Sequence, residues 1–231
     1  MKMKKYECFG AAGMLTLLGG FLDAYTYTCR DGVFANAQTG NVVKFGIALA
    51  SGEVWLMLRY AIPILAFVLG VLLSVWFCHQ THGRRYVLLT EGAIVLLVSL
   101  MPSSAVMNTL ANVLISFMCA LQAEAFRKVL GLSYASTMCT GNLRSLSEAL
   151  ARFIAHQDQQ ALKQMQQYLL IIGIFIGGVV LGIWLTSRIG TAAILWALFA
   201  IGWVVIKAEG SSWKRSKGML MIYGRQRQES V

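Results

Sequence analysis

Two acids stand where the sequence is otherwise apolar. Asp23 lies in Gly19-Gly20-Phe21-Leu22-Asp23-Ala24-Tyr25, and Glu124 lies in Leu121-Gln122-Ala123-Glu124-Ala125-Phe126. A charge at the centre of a bilayer costs about 3 kcal/mol on insertion scales. Asp23 is therefore a candidate to carry a proton or cation that drives transport. The plainer alternative is a carboxylate hydrogen-bonded across helices, or one wetted near an interface. Arg127 follows Glu124 by three residues, which puts both on one helix face. There a structural ion pair competes with a coupling role.

Each acid is followed by the same tripeptide at the same distance. Thr39-Gly40-Asn41 recurs as Thr140-Gly141-Asn142, an offset of 101 residues. At that offset, without a gap, Asp23-Ala24-Tyr25 maps onto Glu124-Ala125-Phe126. This marks an internal duplication. Thr and Asn accept hydrogen bonds from the free N–H groups of a helix start, and Gly allows a tight turn or a close approach. The tripeptides thus read as caps of short helices. Helix starts also attract anions, so Thr39, Gly40, Asn41, Thr140, Gly141 and Asn142 are candidate solute ligands.

Other residues are weighed the same way. Lys44 follows the first tripeptide by one turn and either faces a cavity, pairs with Asp23 or snorkels to the surface. Glu91 is expected to reach lipid headgroups. Gly173, Gly177, Gly178 and Gly182 have helical spacing and mark close helix packing. Cys8, Cys29, Cys78, Cys119 and Cys139 lack metal or redox spacing. Neither a metal nor another cofactor is expected. His79, His82 and His156 have no nucleophile nearby in sequence, and no phosphate-binding glycine loop occurs. Nothing here reads as an enzyme.

The elements that must hold these residues are membrane helices. Of 231 residues, 57% are hydrophobic and 13% charged, against about 25% charged in soluble domains. Six runs are long enough to span: 8–28, 59–78, 86–101, 105–126, 166–187 and 190–207. Segments 38–51 and 139–155 are helical in pattern but shorter or more polar. The net charge of +10 does not imply nucleic acid, because the cations cluster between and beyond the runs. They are Lys2, Lys4, Lys5, Arg84, Arg85, Lys207, Lys214, Arg215, Lys217, Arg225 and Arg227. The basic tail 208–231 interleaves Trp213, Met219, Leu220, Ile222 and Tyr223, and either lies on an anionic leaflet or frays. The start resembles a signal peptide, yet its apolar run has a later counterpart and is expected to be retained.

Basic loops prefer six crossings with both termini cytoplasmic. The expectation is an all-α integral membrane protein in a single membrane domain over 1–231. It has about six transmembrane helices plus two half-helices. Three crossings per unit make the two copies, about 1–101 (spans from residue 8) and 105–207, inverted repeats. With all eight segments crossing, the repeats would be parallel instead.

The segments Gly20-Phe21-Leu22-Asp23-Ala24-Tyr25 and Gly32-Val33-Phe34-Ala35-Asn36-Ala37-Gln38-Thr39-Gly40-Asn41 resemble the signature of the YoaK family of bacterial inner-membrane proteins. That resemblance implies a bacterial cytoplasmic membrane and about six spans, and supplies no substrate. The second half departs from the pattern, with Cys139 in place of Gln38 and Glu124 in place of Asp23. Short extended stretches leading into paired half-helices also resemble the cores of uracil and anion transporters at the level of fold.

The functional expectation is a small secondary transporter of a polar or anionic solute held between the Asn41 and Asn142 helix starts. Asp23, with Glu124, would couple a proton. The partners expected are the lipid bilayer and a small molecule or ion. A homodimer is one way for so short a chain to gain a rigid scaffold. The alternatives are a channel with paired half-helices and a membrane scaffold or sensor without transport.

Overall fold

The computed structural model describes residues 9–129, 132–134, 136–137 and 139–207. The basic start with Cys8 and the basic tail lie outside the described residues. The elements are α1 (Phe9–Cys29), α2 (Gln38–Ser51), α3 (Val54–Cys78), α4 (Gly83–Ser99) and α5 (Ala105–Ala125). Next come strands β1 (Lys128–Val129) and β2 (Leu132–Ser133), then α6 (Cys139–His156) and α7 (Gln159–Ile189). A 3-10 turn, Gly190–Leu195, and a helix over 196–207, called α8, complete the described chain. The chain is overwhelmingly helical. The strands form one antiparallel two-residue ladder.

Among the described residues, three helical segments are long and apolar enough to cross a membrane: Val54–Cys78, Ala105–Ala125 and Gln159–Lys207, the last including the 3-10 turn. Their outer faces suit lipid. Leu58, Leu65, Leu69, Leu72 and Trp76 of α3 are exposed, as are Leu169, Ile176, Val180, Ile183 and Trp184 of α7. The interior, by contrast, holds Asp23, Arg30, Asn36, Glu91, Asn108, Asn112, Ser116 and Gln122. A water-soluble domain sorts its residues the other way.

Contacts fix the helix directions. Gly13 faces Ile174, Gly178 meets the Leu17 backbone, Gly182 meets Phe21 and Ala24, and Thr28 Oγ1 donates to Thr186 Oγ1 at 3.1 Å. So α1 and α7 run parallel. Gly70 meets the Phe117 backbone and Ala120, and Ser74 Oγ donates to the Leu121 carbonyl at 2.9 Å. So α3 and α5 run parallel too. These are the two most extensive helix pairs. Between the pairs the sense reverses. Gln122 Nε2 donates to the Leu15 carbonyl at 3.1 Å, while Asn112 Nδ2 donates to the Arg30 carbonyl at 2.8 Å. That makes α1 and α5 antiparallel. Helix α8 returns along α1, with Trp203 beside Gly10 and Trp196 4.9 Å from Phe21, ring to ring.

Arg30, the first residue after α1, is fully buried. Its guanidinium donates to the carbonyls of Val98, Met101 and Pro102, to Asn108 Oδ1 and to the Tyr25 hydroxyl. It satisfies the free carbonyls at the end of α4, where a cation is favoured. Asn108 Nδ2 in turn donates to Asp31 Oδ1 at 2.9 Å, and Asp31 pairs with Arg59 at 3.3 Å. This network ties together the ends of α1 and α4 and the starts of α3 and α5.

Of the four spaced glycines in α7, Gly178 and Gly182 make the close approach expected, while Gly173 has open space beside it. Opposite effects follow. Gly178→Val drives a side chain into the Leu17 carbonyl, and overpacking costs about 1–3 kcal/mol. Gly173→Ala gains about 0.5–1 kcal/mol of helix propensity. Thermal unfolding in detergent is expected to fall for the first variant and rise for the second.

Candidate functional site

After α1 the chain does not continue outward. Residues 30–37 turn back along the helix they follow. The Ala35 N–H donates to Thr26 Oγ1 at 3.4 Å, and the Asn36 N–H donates to Asp23 Oδ1 at 3.0 Å. Asn36 Nδ2 reaches the Gly19 carbonyl at 3.0 Å. Gly19 is midway along α1, so α2 begins at half the depth of that helix. On the α5 side, Ser116 Oγ donates to the Ala35 carbonyl at 3.0 Å. These side chains take up backbone groups that an extended strand would otherwise leave unpaired.

The stretch after α5 makes the matching excursion. It folds into the β1–β2 ladder, and the Tyr168 hydroxyl holds the Ser133 carbonyl at 2.7 Å. Ser136 then accepts Gln122 Nε2 on its hydroxyl at 3.0 Å. The backbone of Ser136 and Thr137 lies directly against Gly19, and a β-carbon there would collide with it. The segments leading into α2 and α6 therefore converge on one residue of α1. Asp23 stands one turn further along, and Cys139, the first residue of α6, lies within its electrostatic range.

Asp23 is buried, and its hydrogen bond from the Asn36 backbone is not an ion pair. Among the described residues no cation pairs with it. Lys44, for which pairing with Asp23 was one of three expectations, does not pair with it. Its Nζ donates to the Gly32 carbonyl at 3.2 Å and sits 5.4 Å over the Tyr60 ring. Glu124 does pair with Arg127, at 3.2 Å. That pair borders a cavity of about 380 Å³ closed by Phe67 and Val71 of α3, Ser133, Tyr134, and Gly141, Asn142 and Ser145 of α6.

The tripeptides are placed differently from a cap. Helix α2 starts at Gln38, its N-cap is Ala37, and no side chain caps it. Thr39 and Thr140 are exposed. No atom approaches the open side of Gly40 or Gly141 within 4 Å. Only the asparagines turn inward. Asn41 Nδ2 donates to Gln38 Oε1 at 3.0 Å and to the Phe34 carbonyl at 3.4 Å, and Asn142 is buried. The helix starts two residues earlier than the capping pattern suggested, so the tripeptide sits in its first turn.

Sequence reasoning missed Asn36, Ser116, Gln122, Ser136 and Thr137, all buried at the junction. Polar residues inside or beside apolar runs were the available signal. Glu91 was misplaced. It reaches no headgroup, being fully buried in α4 with no partner for either oxygen. Cys119 of α5 lies within electrostatic range of both Glu91 and Asp23.

Three described helical segments long and apolar enough to cross a bilayer, packed around a core that also buries Asp23, Arg30 and Glu91, are consistent with a helical membrane protein. More narrowly, the chain matches the family described as "Protein of unknown function (DUF1275)" over residues 11–206 and belongs to it. Neither characterised proteins nor solved structures give a match.

A buried acid without a partner strains the fold that holds it. Even a buried ion pair can often be replaced by well-packed apolar residues at no cost, or with a gain of about 1–4 kcal/mol, and an acid without a partner has fewer interactions to lose. Glu91→Leu is accordingly expected to unfold at a temperature equal to or above that of the unaltered protein. A clear fall in thermal stability would mean that the carboxyl has partners in solution.

Proposed function

We propose that this protein is a secondary transporter in a bacterial cytoplasmic membrane, with its solute site where the segments entering α2 and α6 meet beside Asp23. The observation that carries this reading is the convergence of both segments on Gly19 of α1, next to a buried carboxyl without a counter-cation. Interrupted helices meeting at the midplane are a recurring way to build such a site, because irregular backbone is tolerated in a membrane only where protein or a cavity surrounds it.

The helix directions support inverted repeats. α1 and α5 are counterparts and run antiparallel. The pair α1–α7 has its counterpart in α5–α3, each joining the first long helix of one half to the third segment of the other. Six crossings follow, with α2 and α6 re-entrant from opposite faces. Arg84 and Arg85, the Arg127–Lys163 segment and the end of α8 then share one side with the start of α1, and the positive-inside rule makes that side cytoplasmic. The solute is small and polar, and Asp23 is the coupling group that exchanges a proton. Glu124, already paired with Arg127, lines the vestibule on the cytoplasmic side.

Reconstituted vesicles with an internal pH dye test this. Some solute in a panel of small amines, amides and carboxylates is expected to move protons when its gradient is imposed. Asp23→Asn is expected to abolish that movement. A pore would pass the solute undiminished in Asp23→Asn, and a scaffold would pass nothing in either protein. Either result rejects the transporter.

A further inference from the structure

The junction at Gly19 has a definite chemical polarity. Asn36 spends both kinds of donor on the protein. Its backbone N–H goes to Asp23 and its amide nitrogen to the Gly19 carbonyl. Its amide oxygen Oδ1 is buried and has no partner. Gln122 repeats the arrangement from the other side. Its Nε2 is tied to the Leu15 carbonyl and to the Ser136 hydroxyl, while Oε1 is buried without a partner. The hydroxyl of Thr137, whose backbone abuts Gly19, is buried and unpartnered as well. All three groups hang on the stretch of α1 from Leu15 to Asp23.

Buried polar atoms are almost always hydrogen-bonded, and each exception calls for an explanation. Here the exceptions are of one kind. An amide oxygen only accepts, a carboxylate only accepts, and a threonine hydroxyl can do so. A bound anion would add more acceptors and more negative charge beside Asp23. The helix starts alone had suggested an anion. A species carrying several N–H donors and one positive charge would instead satisfy the two amide oxygens and the threonine hydroxyl and neutralise the carboxylate.

We propose that the junction binds a small organic cation of the ammonium or primary amine class, held by Asp23 together with Asn36 Oδ1, Gln122 Oε1 and Thr137 Oγ1. This rests on the reading that the junction is the solute site, but it concerns binding and does not require flux. Asp23 supplies the charge. The two amide oxygens and the hydroxyl accept from the ammonium N–H groups, which are tetrahedrally disposed and so match donors required in several directions.

The test is thermal shift of the purified full chain in detergent at constant ionic strength. Methylammonium chloride and ethylammonium chloride are compared with sodium chloride, sodium acetate and sodium phosphate. Site-resolved alkylation of Cys139 is followed by mass spectrometry in parallel. The amines are expected to raise the melting temperature and to slow alkylation of Cys139, which is half-buried beside Asp23. Asp23→Asn keeps an oxygen for the Asn36 N–H, so it is expected to fold and to bind amines more than about tenfold more weakly, as loss of a charged hydrogen bond implies. Thr137→Val removes a hydroxyl that bonds nothing. It is expected to melt no lower than the unaltered protein when empty and to lose part of the amine shift. Stabilisation by acetate or phosphate but not by amines overturns the proposal. So does an amine shift unchanged in both variants, or no shift by any compound. Amine binding without flux in vesicles would instead leave this inference standing and remove the transport reading.

Discussion

The absence of a side chain at Gly19 is the constraint on which the centre of this molecule depends. The backbone of Ser136 and Thr137 rests where a β-carbon would be. The Gly19 carbonyl on the same turn accepts from Asn36. One turn of α1 thus receives the entry to α2 on one flank and the entry to α6 on the other. A larger residue would push the second segment away, and with it Ser136 would leave Gln122 and α6 would lose its starting point. Glycine costs helix stability, and here the close approach it permits outweighs that cost. The same exchange recurs at Gly178 and Gly70, where α7 meets α1 and α3 meets α5.

Burial of polar groups then decides how the rest is arranged. Two stretches of irregular backbone reach the interior, and each must find partners away from water. Thr26, Ser116 and Tyr168 supply them from helices, through a hydroxyl to a single backbone group in each case. At the other end of α1, Arg30 does the same for the last carbonyls of α4 with its whole guanidinium. The outward faces carry no such duty and are apolar. These buried polar groups are therefore what the two irregular segments require.

Much of this was legible in the sequence, in proportion to how local its cause was. The long apolar runs at 59–78 and 105–126 became α3 and α5 within a few residues, because apolar length alone specifies such helices. The 101-residue offset located α2 and α6, starting at Gln38 and Cys139. What was not legible came from contacts across the fold. Asn36 looks like an ordinary residue before a helix, and only the return of its segment to Asp23 makes it part of a site. Glu91 sits in a run with arginines at its start, which suggested headgroups. Its burial is set by the packing of α4 against α5 and α8, which no local pattern records. The capping reading of the first tripeptide failed by two residues, within the usual uncertainty of helix ends. Those two residues move Thr39 from the cap into the exposed part of the first turn.

The two acids that share the 101-residue offset differ in their charge environment. Asp23 has kept its place without a basic neighbour, whereas Glu124 has Arg127 on the same face at 3.2 Å. A carboxylate already matched by a guanidinium adds no net charge to its surroundings, whereas Asp23 has no such match among the described residues. A cavity of about 380 Å³ borders the Glu124–Arg127 pair. Under the transport proposal a solute would meet the Glu124–Arg127 pair first and the unpaired Asp23 second, so selection by charge would fall to the inner acid.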